Sequence, residues 1–183
     1  MIDSQLRTSG VNEEAVLERM YALAREPFVP QAARGHAYID RAIALGDGAF
    51  LASPVVHGKM LQEARPTPAD RALVVDGGSG YLPELLRPMV GSLEVVSAAG
   101  GGAGGSAGAG FTLLLVDGAA EVLPPALVDR LADGARVVTG WLRGGITCLA
   151  IGRKSGGAVA LLPVVEMGIP VLPAFARPPE WSF

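Results

Sequence analysis

The chain has 183 residues, half of them apolar and 18% charged, with a formal net charge of −3. That is enough for one well-buried domain and too little for two ordinary ones, so a single domain over 1–183 is expected. The mild negative charge gives no general attraction to nucleic acid or to an anionic membrane, and neither is expected as a partner.

No run of about 18 apolar residues could span a bilayer. Met1 to Arg7 lacks the basic and apolar blocks of a signal peptide, so a cytoplasmic protein is expected. The single cysteine, Cys148, cannot close an internal disulfide, and its neighbours Leu149, Ala150 and Ile151 point to a buried strand thiol. No metal site is expected.

In chain order, residues 1–68 read as a helical region. Asn12 is placed to cap a first helix, Glu13 and Glu14 suit its dipole, and Val16, Leu17, Met20 and Leu23 form an apolar stripe that Pro27 and Pro30 end. A second helix is predicted from Pro54 to Glu63: Ser53 can cap it, Pro54 suits its first turn, and Val56, Met60 and Leu61 line one side. From residue 69 to 183 the pattern becomes an α/β sheet core. Short β-rich runs occupy 73–76, 93–97, 111–116, 135–142, 145–152 and 157–165, with helices near 82–90 and 123–132. The early alternation predicts a parallel sheet. The last runs, parted only by Gly144-Gly145 and Gly156-Gly157, predict an antiparallel meander.

Two stretches carry more information. "LVVDGGSGYLPELL", 73–86, reads as a strand ending at Asp76, a glycine loop, and a helix with Leu82, Leu85 and Leu86 at helical spacing. "GGGAGGSAGAG", 100–110, has seven glycines in eleven residues. It can form neither helix nor core, since each glycine costs about 1 kcal/mol against alanine in a helix. Fully extended it reaches roughly 35 Å, enough to return along a strand of about 17 Å. It is therefore a bare tether where a parallel crossover usually holds a helix.

Four blocks in order resemble the protein-L-isoaspartate O-methyltransferase family: "IDSQLRTSGVNEEAVLERM" with "REPFVP", then "ASPVVHGKMLQ", "LLLVDGAAEVLPPALVDRLADGARVV" and "VLPAFARPP". The resemblance implies a Rossmann-like fold that binds S-adenosylmethionine and methylates isoaspartyl carboxylates in damaged proteins. It implies cofactor contacts at Asp76, Gly77, Gly78, Ser79, Gly80 and Asp117, and substrate chemistry near Ser53 and His57.

Each position departs from the family in some way. Gly78-Ser79-Gly80-Tyr81 matches the family's closing Gly-x-Gly-Tyr, yet an ungapped alignment puts Asp76 on the first glycine and Val74 on the acidic position; treating Asp76 as the acidic residue shortens the loop by two. The glycines alone also fit a tight turn. The carboxylate that would hold the ribose hydroxyls is replaced near Ala99, because Glu94 lies inside its strand. The tether stands in for the outer strand and helix after strand two. Aligning on Pro54 puts Ala52 where the family has its serine, which leaves Ser53 best explained as the helix cap. His57 matches a family histidine, but a lone histidine on the first turns of a helix is more often structural or solvated than catalytic. Asp117 is placed either at the cofactor cleft or as a cap of the following turn.

Two functions follow: a methyltransferase-like protein of weakened or lost activity, or an inactive relative acting as a binding or assembly protein. In the second, "LEVVS" forms an exposed sheet edge open to a second copy or a partner strand. A pocket for another nucleotide has no supporting motif. In "PPEWSF", Trp181 and Phe183 are expected to fold back onto the domain.

Overall fold

The computed structural model describes residues 1–100 and 110–177, so the interior of the glycine tether and the "PPEWSF" tail lie outside the described residues. Helix α1 (Glu14–Ala22) buries Val16, Leu17 and Met20, as its apolar stripe requires. Asn12 is not its cap. The N–H groups of Asn12 and Glu13 donate instead to Gln62 Oε1 at 2.8 and 3.3 Å, a tertiary contact that local spacing does not reveal. A hairpin of β1 (Ile43–Gly46) and β2 (Ala49–Leu51) precedes α2 (Pro54–Ala64). Ser53 caps α2, its Oγ accepting from Val56 N–H at 3.4 Å.

Six strands follow: β3 (Arg71–Asp76), β4 (Ser92–Ser97), β5 (Phe111–Ala120), β6 (Leu131–Arg143), β7 (Ile146–Ser155) and β8 (Ala158–Glu166). They form one sheet in the order β4-β3-β5-β6-β7-β8. The first four run parallel, and β7 and β8 turn back antiparallel, as the alternation and the Gly-Gly turns predict. Ala72–Val75 of β3 and Leu113–Val116 of β5 have no exposed surface, which is why these strands read as unbroken apolar runs.

The helices of this half are shorter than expected. α3 spans only Tyr81–Leu86 and gives way to a 3-10 turn at Arg87–Met89, because Pro88 has no N–H to continue the α-helical hydrogen bonding. α4 is cut to Pro125–Asp129, since Leu131 already pairs with Phe111 of β5. Among the described residues β4 is a terminal strand of the sheet, with Val95 40% exposed. At the amino end of β5 the Phe111 ring lies between the guanidinium groups of Arg71 and Arg130, at 5.4 and 5.1 Å, and Arg130 pairs with Glu94 of β4. Cys148 is buried, and burial pushes its thiol pKa up. No helix among the described residues is long and apolar enough to cross a membrane.

Asp70 fixes the entry to β3. One carboxylate oxygen accepts from Thr67 N–H, Thr67 Oγ and Arg136 Nη2 at 2.8, 2.9 and 2.7 Å; the other accepts from Thr112 Oγ at 2.8 Å. Burial alone would raise its pKa, but these hydrogen bonds outweigh burial and hold it below the ordinary value. Asp70→Ala is expected to lose about 2–3 kcal/mol in urea denaturation. Because the folded pKa is depressed, Asp70 contributes its stability above about pH 4 and loses it as the pH falls through the lower folded value. The wild-type and Asp70→Ala denaturation midpoints should therefore converge in acid.

Candidate functional site

The site begins where β3 ends. Asp76 turns its carboxylate back over the glycine loop, accepting from Gly78 N–H at 3.1 Å and from Gly80 N–H at 3.0 and 3.2 Å with its two oxygens. Ser79 Oγ accepts from Tyr81 N–H at 3.2 Å. Amides that a ligand anion could use are thus taken by the chain's own carboxylate. Gly77 and Gly78 serve close packing as well: a Cβ on Gly77 would come within 2.6 Å of Asp117 O and 2.7 Å of the Phe50 ring, and one on Gly78 within 2.4 Å of Ala49 Cβ. The β1–β2 hairpin is held there by Phe50 N–H donating to Gly77 O at 3.1 Å.

A cleft of about 320 Å³ opens beside this loop. Its walls are Asp76, Gly77 and Gly78 of the loop, Ser97, Ala98 and Ala99 after β4, the hairpin tip Asp47–Ala49, and Leu172–Ala174. Sequence reasoning located the first two walls. It did not place the others there: the hairpin tip carries no motif, Leu172–Ala174 lie in the "VLPAFARPP" block that marked only the family, and tertiary folding brings both over the loop. Among the described residues no carboxylate follows β4 at 97–100.

Behind the loop runs a buried polar line. Asp117 does not follow its strand but lies within β5, fully buried, so it caps no turn. Its Oδ1 is 3.1 Å from His57 Nε2, and His57 Nδ1 is 3.3 Å from Arg25 Nη1. Since arginine only donates, Nδ1 accepts and the imidazole proton sits on Nε2, which donates to Asp117. Arg25 also donates to Ala37 O at 2.7 Å and Ala52 O at 2.5 Å, and its guanidinium lies 4.8 Å from the Tyr81 ring centroid. Sequence reasoning did not single out Arg25, since nothing local marks an arginine as buried. The second oxygen of Asp117 has no hydrogen-bond partner among the described residues. Burial raises the Asp76 pKa, the nearby Asp117 charge raises it further, and the Gly80 and Gly78 amides and His57 pull against both.

The structure therefore gathers Asp76, Gly77, Gly78, Ser79 and Gly80 into one loop and joins His57 to Asp117 behind it. Ser53 is set apart: it is 5% exposed and borders a different hollow, with Lys59, Glu166 and Ile169.

β3 leads outward to β4 on one side and β5 on the other, so the cleft lies at the sheet's topological switch, where open α/β sheets take their ligands. This is the Rossmann-like class. Within it the chain belongs to the protein-L-isoaspartate O-methyltransferase family: residues 1–99 match the family model described as Protein-L-isoaspartate(D-aspartate) O-methyltransferase (PCMT). The protein-L-isoaspartate O-methyltransferase of Koribacter versatilis is 31% identical over 181 residues, covering 86% of this chain and 82% of its own. That of Methylorubrum extorquens is 32% identical over 161 residues, covering 75% and 71%. In fold, a Plasmodium falciparum protein assigned as a protein-L-isoaspartate O-methyltransferase, solved in complex with S-adenosyl-L-homocysteine, superposes with a TM-score of 0.71 at 17% identity, covering 92% of this chain and 95% of that one.

Removing Arg25 strands the Asp117 charge in a dry interior. Arg25→Leu is expected to cost about 3–5 kcal/mol in chemical denaturation, the range for breaking a buried charge pair from one side. Asp76 should titrate above about 3.9 when followed by carboxyl-carbon NMR, and the Asp117→Asn variant should bring that midpoint down. Because folded Asp76 holds its proton more tightly than unfolded Asp76, this group's ionisation disfavours the fold as pH rises between the two values.

Proposed function

We propose that the chain is a protein-L-isoaspartate O-methyltransferase-like protein, directed at isoaspartyl carboxylates in damaged proteins or peptides, whose grip on S-adenosylmethionine is so reduced that methyl transfer is weak or lost. The observation that carries this is the Asp76 carboxylate bonded to Gly78 and Gly80, which fills the place a cofactor carboxylate would take. S-adenosylmethionine presents an α-carboxylate, a ribose diol and an adenine. The glycine loop stands in the right position for it, but Asp76 takes its amides, and Ser97, Ala98 and Ala99 offer no carboxylate for the diol. The residues present thus do not fit the whole cofactor. Losing the anion site and the ribose clamp together removes several kcal/mol, hence orders of magnitude in affinity.

The substrate side supports the same conclusion. Ala52 stands at the family's serine position, its carbonyl held by Arg25, while Ser53 and His57 serve as helix cap and internal bridge. A single cytoplasmic domain belongs to the same proposal.

The second reading, a binding or assembly protein, is favoured by one observation: β4 is terminal among the described residues and exposes Val95. Self-association through this edge would appear as a concentration-dependent dimer in sedimentation velocity, and a monomer at high concentration counts against it.

Titration calorimetry with S-adenosylmethionine and its demethylated product is the primary test, with an isoaspartyl-peptide methylation assay beside it. Heats that saturate only near millimolar ligand, with methylation close to background, are expected. Micromolar binding with steady ester formation would mean that the loop has rebuilt a working site. Ala99→Asp, which restores a carboxylate after β4, is expected to tighten binding about tenfold.

A further inference from the structure

A second hollow, of about 350 Å³, lies between α4 and the β7–β8 hairpin. Glu121, Val122 and Trp141 stand at one end of it and the hairpin turn at Gly157 and Ala158 at the other, with Val159 and Leu161 of β8 along one wall. Trp141 is opposite Cys148 on β7 and Ala158 is opposite Ser155, seven residues further along that strand. The hollow is therefore a groove about 23 Å long. Its walls are mainly apolar: Val122 is 37% exposed, and Trp141, Val159 and Leu161 are half-buried. Among the described residues its lining holds no lysine or arginine. Of its two carboxylates, Glu121 already accepts from Arg177 N–H at 2.7 Å, so an apolar occupant suits it best.

The same contact delivers the end of the chain to this groove. Residues 170–177 are laid beside the end of β5: Ala119 N–H donates to Pro170 O at 2.7 Å, Leu172 N–H to Ala119 O at 2.9 Å, and the Glu121 and Val122 N–H groups to Phe175 O at 3.1 Å. Arg177, the last described residue, is thus fixed at the Trp141 end, and "PPEWSF" follows it. From this we infer that the groove is the docking site of the chain's own segment 178–183, with the Trp181 indole seated against the apolar wall beside Trp141. Trp181 is four residues beyond Arg177, a reach of about 14 Å, and Phe183 six, a reach of about 21 Å, so both rings fall within the groove's length. Pro178 and Pro179 restrict the backbone in advance and lower the entropy lost on docking, and the tether at Arg177 makes the contact intramolecular. An indole gains there both buried apolar area and ring contact with Trp141. Seated in this way, the tail also holds from its far end the Leu172–Ala174 segment that walls the glycine-loop cleft.

The test is tryptophan fluorescence on the full chain, which has two tryptophans. In Trp141→Phe only Trp181 emits, and its emission is expected to lie to the blue of free tryptophan and to be several-fold less quenched by iodide. Adding Leu161→Glu, which sets a charge on the groove wall, should move that emission to the red and restore quenching. In the unaltered chain, nuclear Overhauser contacts from the Trp181 indole to the methyls of Val122 or Leu161 are expected, and they decide the matter if a variant does not fold. Solvent-like emission from Trp181, or the absence of those contacts, overturns the inference. Shielding that Leu161→Glu leaves unchanged also overturns it, since the ring is then seated elsewhere. So does shielding that fades on dilution together with a dimer in sedimentation velocity, since the ring is then on a second copy.

Discussion

The buried line from Arg25 through His57 to Asp117 is the interaction on which the rest of the site depends. It joins three parts of the chain that are distant in sequence: the segment after α1, helix α2 and strand β5. Two further guanidinium hydrogen bonds hold the Ala37 and Ala52 carbonyls, so one cation organises both the irregular amino-terminal segment and the turn into α2. In a dry interior such an arrangement holds only while each member has its partner, and this gives the N-terminal region a fixed seat on the sheet. The Tyr81 ring packs against the same guanidinium and carries that order to the start of α3.

The glycine loop is shaped from behind by this assembly and from above by the hairpin. Gly77 has Asp117 on one side and Phe50 on the other, and Gly78 lies against Ala49. The loop thus keeps its glycines for packing whatever ligand it holds. Its amides are a separate matter, because Asp76 answers them internally. A fold can in this way keep the backbone of an anion site while filling it with its own anion, and its electrostatics then run opposite to what the motif suggests.

Among the described residues β4 is a terminal strand of the sheet, and long side chains tie it to its neighbours. Glu94, Arg130, Phe111 and Arg71 link β3, β4, β5 and the residue before β6 through an ion pair and two cation–π contacts. The match of residues 1–99 to the family model stops where the tether begins.

Much of this was legible in the sequence, for physical reasons. Period-two and unbroken apolar runs mark strands because sheet burial demands them. Gly-Gly pairs mark hairpins because their turns need positive φ. Ser53 before Pro54 marks a helix start because its hydroxyl meets an orphan amide. The parallel strands followed by an antiparallel meander, the Asp76 loop, the missing carboxylate near Ala99 and the β4 edge follow from these local rules together with the family resemblance. Tertiary structure alone decided the rest. Gln62 rather than Asn12 caps α1, Asp117 lies within a strand, Arg25 is fully buried, and the hairpin tip and Leu172–Ala174 close the cleft. Each depends on two segments far apart in the chain meeting in low dielectric, and no local pattern encodes which distant partner a polar group will find.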